Sequence, residues 1–210
     1  MKRTPLTLAI ALACALAPLG AVAQETAGAG RFEIGAFPGG GIFFTKGDSA
    51  NEPKFGNYPL GATFAWNLNR LVGLEGEVGG NLGRKQSLVF NGTTLTKQKT
   101  PGMWMYQANV VATPGGNDRA LVPFVTAGIG GLTMCDCNRE DVATLGVTGN
   151  SAHLTGNAGG GLKWFSANHW GARADYRFFA VKSADAAPEF FGQTDTRYGH
   201  RIYGGILLTY

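Results

Sequence analysis

Long apolar runs are missing from this chain once its N-terminal segment is passed. After Gln24 no stretch approaches the roughly 20 consecutive apolar residues of a membrane helix, so spanning by helices is excluded. Cysteine is scarce: beyond Cys14 only Cys135 and Cys137 occur, and two thiols make no complete metal shell. Histidine is limited to His153, His169 and His200, which leaves little material for acid–base catalysis. A charge surplus is missing too. The formal net charge of +4 drops to +2 without Lys2 and Arg3, which is no case for nucleic acid.

What is present begins with a leader. Lys2 and Arg3 precede the apolar run Leu6 to Leu16, then Pro18, Gly20 and Ala21-Val22-Ala23. This is the layout of a cleaved secretory signal over residues 1–23, with the remaining chain, 24–210, as one domain. An exported chain without apolar helices can cross a membrane only as a closed β-barrel, which satisfies every backbone polar group internally. About 187 residues suit eight strands of roughly 10 residues with their connections. Glycine is abundant, 33 of 210, and interleaved with aromatic and β-branched residues, as in strands that pack tightly and bend.

Turn signals divide the chain into eight candidate strands: 31–46, 58–68, 71–82, 102–113, 121–134, 153–165, one starting at Trp170, and the last ending at Tyr210. Pro38 and Gly39 to Gly41 predict a bulge in the first. The seventh alternates most clearly, with Trp170, Ala172, Ala174, Tyr176 and Phe178 against Arg173, Asp175 and Arg177. In the fifth neither row is clearly polar, so its faces stay unassigned. The connections after strands two, four and six are short, whereas 47–57, 83–101, 135–152 and 183–197 are long. Short turns at one end and long loops at the other mark an outer-membrane barrel whose long loops face outward.

The last strand supplies a second pattern. Leu208, Ile206 and Ile202 share the face of Tyr210, while Thr209, Gly205, Tyr203 and Arg201 take the other. Tyr203, Gly205, Leu208 and Tyr210 resemble the C-terminal assembly signal of bacterial outer-membrane barrels, which implies the barrel-assembly machinery as a partner. Tyr106-Gln107-Ala108-Asn109-Val110, the Val122–Gly128 segment and the Gly156–Lys163 segment are similar to the small opacity-type and outer-membrane-protein-A-like barrel domains. The resemblance implies an all-β, eight-stranded antiparallel up-and-down transmembrane barrel in the outer membrane. It also implies roles in adhesion or envelope integrity, among lipids and lipopolysaccharide, with the extracellular ligand set by the loops.

With Tyr210 facing lipid, strand parity places Glu33, Glu75, Glu77 and Asp175 inside with Lys163, Arg173, Arg177 and Arg201. Four acids matched by four bases in a barrel just wide enough for its own side chains predict a salt-bridged plug. The alternatives are a small pore, a soluble barrel with a ligand cavity, and a lipid A-modifying enzyme. No catalytic set is expected, because none of the three histidines has a nucleophile or acid at a telling spacing. No cofactor or metal is expected either. Trp66, Trp164, Trp170 and Tyr210 near strand ends suggest aromatic girdles, with core packing an alternative for Trp104.

Two loops carry further candidates. Cys135-Asp136-Cys137 suggests a small, strained disulfide in an oxidising envelope. Asn91-Gly92, between Gln86–Phe90 and Thr93–Lys97, predicts a hairpin that prolongs strands three and four into a protruding ribbon. Arg84, Lys85, Lys97 and Lys99 on that ribbon are candidates for contact with lipopolysaccharide phosphates or another surface partner.

Overall fold

Alternation of large apolar residues with small, polar or charged ones governs this chain, and it builds β1 (Phe32–Phe44), β2 (Phe55–Asn67), β3 (Val72–Leu82), β4 (Lys85–Phe90) and β5 (Thr93–Lys99). β6 (Gly102–Ala112), β7 (Leu121–Cys135), β8 (Ala152–Phe165), β9 (Trp170–Lys182) and β10 (Arg197–Thr209) follow. The computed structural model describes residues 30–45, 54–90, 93–100, 102–135, 152–166, 169–182 and 196–210. The expected leader, Asn91-Gly92 and Cys137 lie outside them.

Eight strands close into an antiparallel barrel in the order β1-β10-β9-β8-β7-β6-β3-β2, while β4 and β5 form a separate two-stranded sheet. Closure is made by β1 on β10, where Glu33 pairs with Thr209 and Phe44 with Gly199. Closure leaves no open sheet edge in the barrel wall, which is what the hydrocarbon core demands. The β6–β7 connection turns with Gly115 and Gly116 at φ of 91° and 89°, a left-handed conformation that a side chain would strain.

The bulge lies where proline and glycines foretell it. The register of β1 shifts between Ala36 and Gly39 against β10, and between Phe37 and Ile42 against β2. Its effect is a change of parity: Glu33, Gly35 and Phe37 are buried below it, Ile42 and Phe44 above it. One extra residue lets both halves of the strand bury their large side chains.

The outer surface carries an apolar belt around the wall. Phe64, Val78, Val110, Val125, Ile129 and Ile206 are each more than half exposed. Such a belt on all sides of a barrel is a lipid-facing surface, and would aggregate in water. All four tryptophans face outward, Trp104 included at 50% exposure, so its packing in the core is ruled out. Trp164 and Trp170 meet edge to face at 5.4 Å near the short-turn end.

β7 resolves the strand whose faces sequence left unassigned. Val122, Phe124, Thr126, Leu132 and Met134 point inward, while Leu121, Pro123, Val125 and Ile129 point outward. Both rows are apolar because the outer half of the barrel interior is itself apolar.

Candidate functional site

The interior is filled in three levels, counted from the short-turn end. Lowest are Val122, Phe165 and Leu207, a small apolar cluster. Just above, Lys163 Nζ donates to Glu33 Oε2 at 2.7 Å, and Asn67 Nδ2 donates to Glu33 Oε1 at 2.8 Å. β8 and β1 stand three places apart in the ring, so this pair crosses the lumen rather than following the wall.

The middle level holds the other six charges predicted to face inward, all buried. Arg173 and Arg177 on β9 both reach Glu75 on β3, four places away and therefore on the opposite wall. Arg177 Nη2 is 2.7 Å from Glu75 Oε1. The same guanidinium pairs with Asp175 at 3.0 Å and Glu77 at 2.9 Å, and Arg201 Nη1 closes on Glu77 Oε1 at 2.5 Å. Tyr203 donates its hydroxyl to Asp175 Oδ2 at 2.8 Å. Asn157 donates to Asn109 at 2.8 Å, and Asn109 to Glu75 at 3.1 Å, extending the network to β8 and β6. Arg173 also lies over the Phe124 ring at 4.5 Å.

Three acids face three bases at this level, so the network carries no formal charge. That balance matters energetically, because an unpaired charge inside costs several kcal/mol whereas a hydrogen-bonded set offsets much of its desolvation. Glu75 and Asp175 accept from guanidinium groups at all four of their oxygens, and Glu77 is held by charge against Arg177 and Arg201, a use of carboxylates that ties the walls together.

The outermost level is mainly apolar, with His153 and Arg197 among its buried side chains, and is covered from above. Leu88 of β4 is fully buried among Ile42, Phe44, Phe55, Met105, Leu132 and Phe179. The expected protruding ribbon is thus corrected: the hairpin forms its own sheet, detached from β3 and β6, and turns inward over the mouth. Gln86 fixes it by donating from Nε2 to the Gly56 carbonyl at 2.8 Å and accepting from the Gly56 N–H at 3.1 Å. Thr100 Oγ1 donates to Asn57 Oδ1 at 2.5 Å. Burying Leu88 favours docking by about 1.5–3 kcal/mol, more than any one of these hydrogen bonds at about 0.5–1.5 kcal/mol net. The apolar contact therefore decides where the hairpin rests.

Its cations remain on the outside. Arg84, Lys85 and Lys97 are exposed and Lys99 is half-buried, with Lys85 opposite Lys99. Arg197, assigned to a long loop by its neighbours in sequence, instead opens β10 and is buried. Of the histidines, His153 is inside, His169 is in a turn, and His200 is on the outer face with Nδ1 2.7 Å from the Tyr176 hydroxyl. Cys135 ends β7, so its pairing with Cys137 falls beyond the described residues. Among the described residues no three His, Cys, Asp or Glu side chains gather as a metal cage would require. Gly205 and Leu208 lie in β10 and Tyr210 directly follows it, with Tyr210 and Leu208 outward, and Gly205 against the bulge of β1.

A family model described as the outer membrane protein beta-barrel domain matches residues 9–203. Among solved structures, Neisserial surface protein A is similar, with 8% identity, 87% of this chain and 99% of that chain covered, and a TM-score of 0.58. The outer membrane protein OprG from Pseudomonas aeruginosa shares 16% identity over 89% of this chain and 99% of its own, with a TM-score of 0.49. The N-terminal barrel domain of OprF from Pseudomonas aeruginosa shares 15% over 85% and 98%, with a TM-score of 0.47. No curated protein matches the sequence. At 8% identity, the likeness to Neisserial surface protein A speaks to fold alone.

Proposed function

Because the chain belongs to the outer membrane protein beta-barrel domain family and is an outer-membrane β-barrel, we propose that it works there without catalysis, as a structural and surface-interaction protein presenting its long connections outside. The observation that carries this reading is the filled lumen. Arg173 and Arg177 bridge to Glu75 on the opposite wall, and Leu88 caps the level above. A barrel closed twice over is a scaffold, and what differs between such scaffolds is the surface they carry.

The contact we assign is to phosphate-bearing lipopolysaccharide, through Arg84, Lys85, Lys97 and Lys99. Docking the hairpin by Leu88 holds these cations at the rim, where outer-leaflet phosphates lie, and charge-assisted hydrogen bonds to phosphate are the strong kind. Export through cleavage after Ala23 and delivery by the barrel-assembly machinery complete the reading. The Cys135–Cys137 disulfide belongs with it, and thiol titration checks it, since two free thiols exclude the bridge.

Three measurements test the proposal. In planar bilayers the folded monomer is expected to give no steady current; sustained ion conductance would establish a pore instead. Replacing the four hairpin cations with glutamine is expected to weaken lipopolysaccharide binding and flatten its salt dependence. Unchanged binding would remove the hairpin from the interface. Altered lipid A acylation on expression would overturn the non-catalytic reading.

A further inference from the structure

Apart from Met1, every methionine of the chain points into one section of the barrel interior: Met103, Met105 and Met134. Alternation along β6 sets Met103 and Met105 on the same face, about 7 Å apart along the strand. Met134 of β7 stands directly opposite Met103, and Leu132, opposite Met105, faces His153 of β8. His153 is the one histidine of three that enters the lumen, and it is 2% exposed. One of its ring nitrogens is held by the backbone of Lys182. That is the kind of second contact that orients a ligating imidazole.

We propose that this section binds a soft monovalent cation, Cu(I) or Ag(I), with the Met103, Met105 and Met134 thioethers and the His153 imidazole as donors. Facing Cβ atoms across adjacent strands lie about 5 Å apart, and methionine's three rotatable bonds let its sulfur converge from such positions. Thioethers are soft donors that select Cu(I) over hard cations. The surroundings reinforce the choice. Glu75, Glu77 and Asp175 lie at the level below and are engaged by arginines, so among the described residues no carboxylate here favours a hard divalent ion. Ordinary filling of a core by methionine explains each residue alone, but not why all three join the single inward histidine. The cap places Leu88 in the same cluster, which excludes water from a site whose donors carry no charge.

The test uses the full mature chain refolded in detergent micelles with Cys135→Ser and Cys137→Ser, so that thiolates do not compete for the ion. Silver nitrate, redox-inert in this use, is titrated while the ¹³C-methyl resonances of methionine are followed. The expected result is saturable binding of a single ion, with all three methyl signals shifting together with the His153 ring. Met103→Leu with Met134→Leu, a nearly volume-conserving change, is expected to lower affinity about 100-fold while the barrel keeps its heat-modifiable mobility. Absence of saturable binding in the cysteine-free chain would overturn the proposal. So would methionine signals that stay still during the titration, or unchanged affinity in the folded double variant.

Discussion

Arg177 reaches Glu75 across the full width of the barrel, its Nη2 lying 2.7 Å from Oε1 although 102 residues separate the two in sequence. The bridge joins strands four places apart in an eight-membered ring, so it ties opposite walls together. Glu75 also accepts from Arg173 and Asn109, which makes it the hub of the lumen. Glu75→Ala takes the shared acceptor from two guanidinium groups and leaves two acids against three bases in the lumen, and is expected to cost about 3–5 kcal/mol. Urea-dependent folding equilibria in micelles read this directly; a loss under about 1 kcal/mol, the level of an exposed pair, would mean that the network is solvated.

The pair Lys163–Glu33 gives a sharper separation of effects. Lys163→Met alone leaves a buried carboxylate whose remaining donor is the Asn67 amide, and should destabilise by about 3–5 kcal/mol. Adding Glu33→Leu should recover most of that loss, because two apolar groups need no mutual charge. A double variant as unstable as the sum of the singles would show that the two residues act independently.

Leu88 locates its hairpin. Leu88→Ala is expected to weaken docking by about 2–5 kcal/mol, and the loss should appear as local opening rather than global unfolding. Hydrogen exchange should therefore accelerate in Lys85–Lys99 while amides of β3 and β6 keep their protection. Equal protection in both proteins would show that Gln86 and Thr100 suffice to hold the cap.

Gly205 has a steric task besides any part in assembly. A Cβ placed there would press on the backbone of Ala36 and Phe37, at the β1 bulge opposite. Backbone cannot rotate away, so Gly205→Val is expected to slow refolding into detergent micelles, where no assembly machinery operates. Normal refolding in vitro with failure only in cells would assign Gly205 to recognition alone.

The barrel was legible in sequence wherever one face of a strand differed from the other. β9 and β10 declare themselves because arginines alternate with aromatic and aliphatic residues, and the same parity places the eight interior charges. β7 gave no such contrast. Its inward Leu132 and Met134 face an apolar chamber, so lumen and lipid ask for the same residue types at that height. The inward turn of the hairpin left no local trace, because Leu88 in an alternating strand looks alike whether it meets lipid, solvent or a distant core. Arg197 was missed for a related reason: its neighbours read as loop, and burial of the side chain depends on where β10 begins.

Gln86 holds its partner by main-chain atoms, accepting from the N–H of Gly56 and donating to its carbonyl. An anchor of this kind reads no side chain of its partner. The outward residues Thr94, Thr96 and Lys97 can change without loosening the docked side, Gln86 and Leu88. The two edges of one small ribbon are thus free to evolve at different speeds.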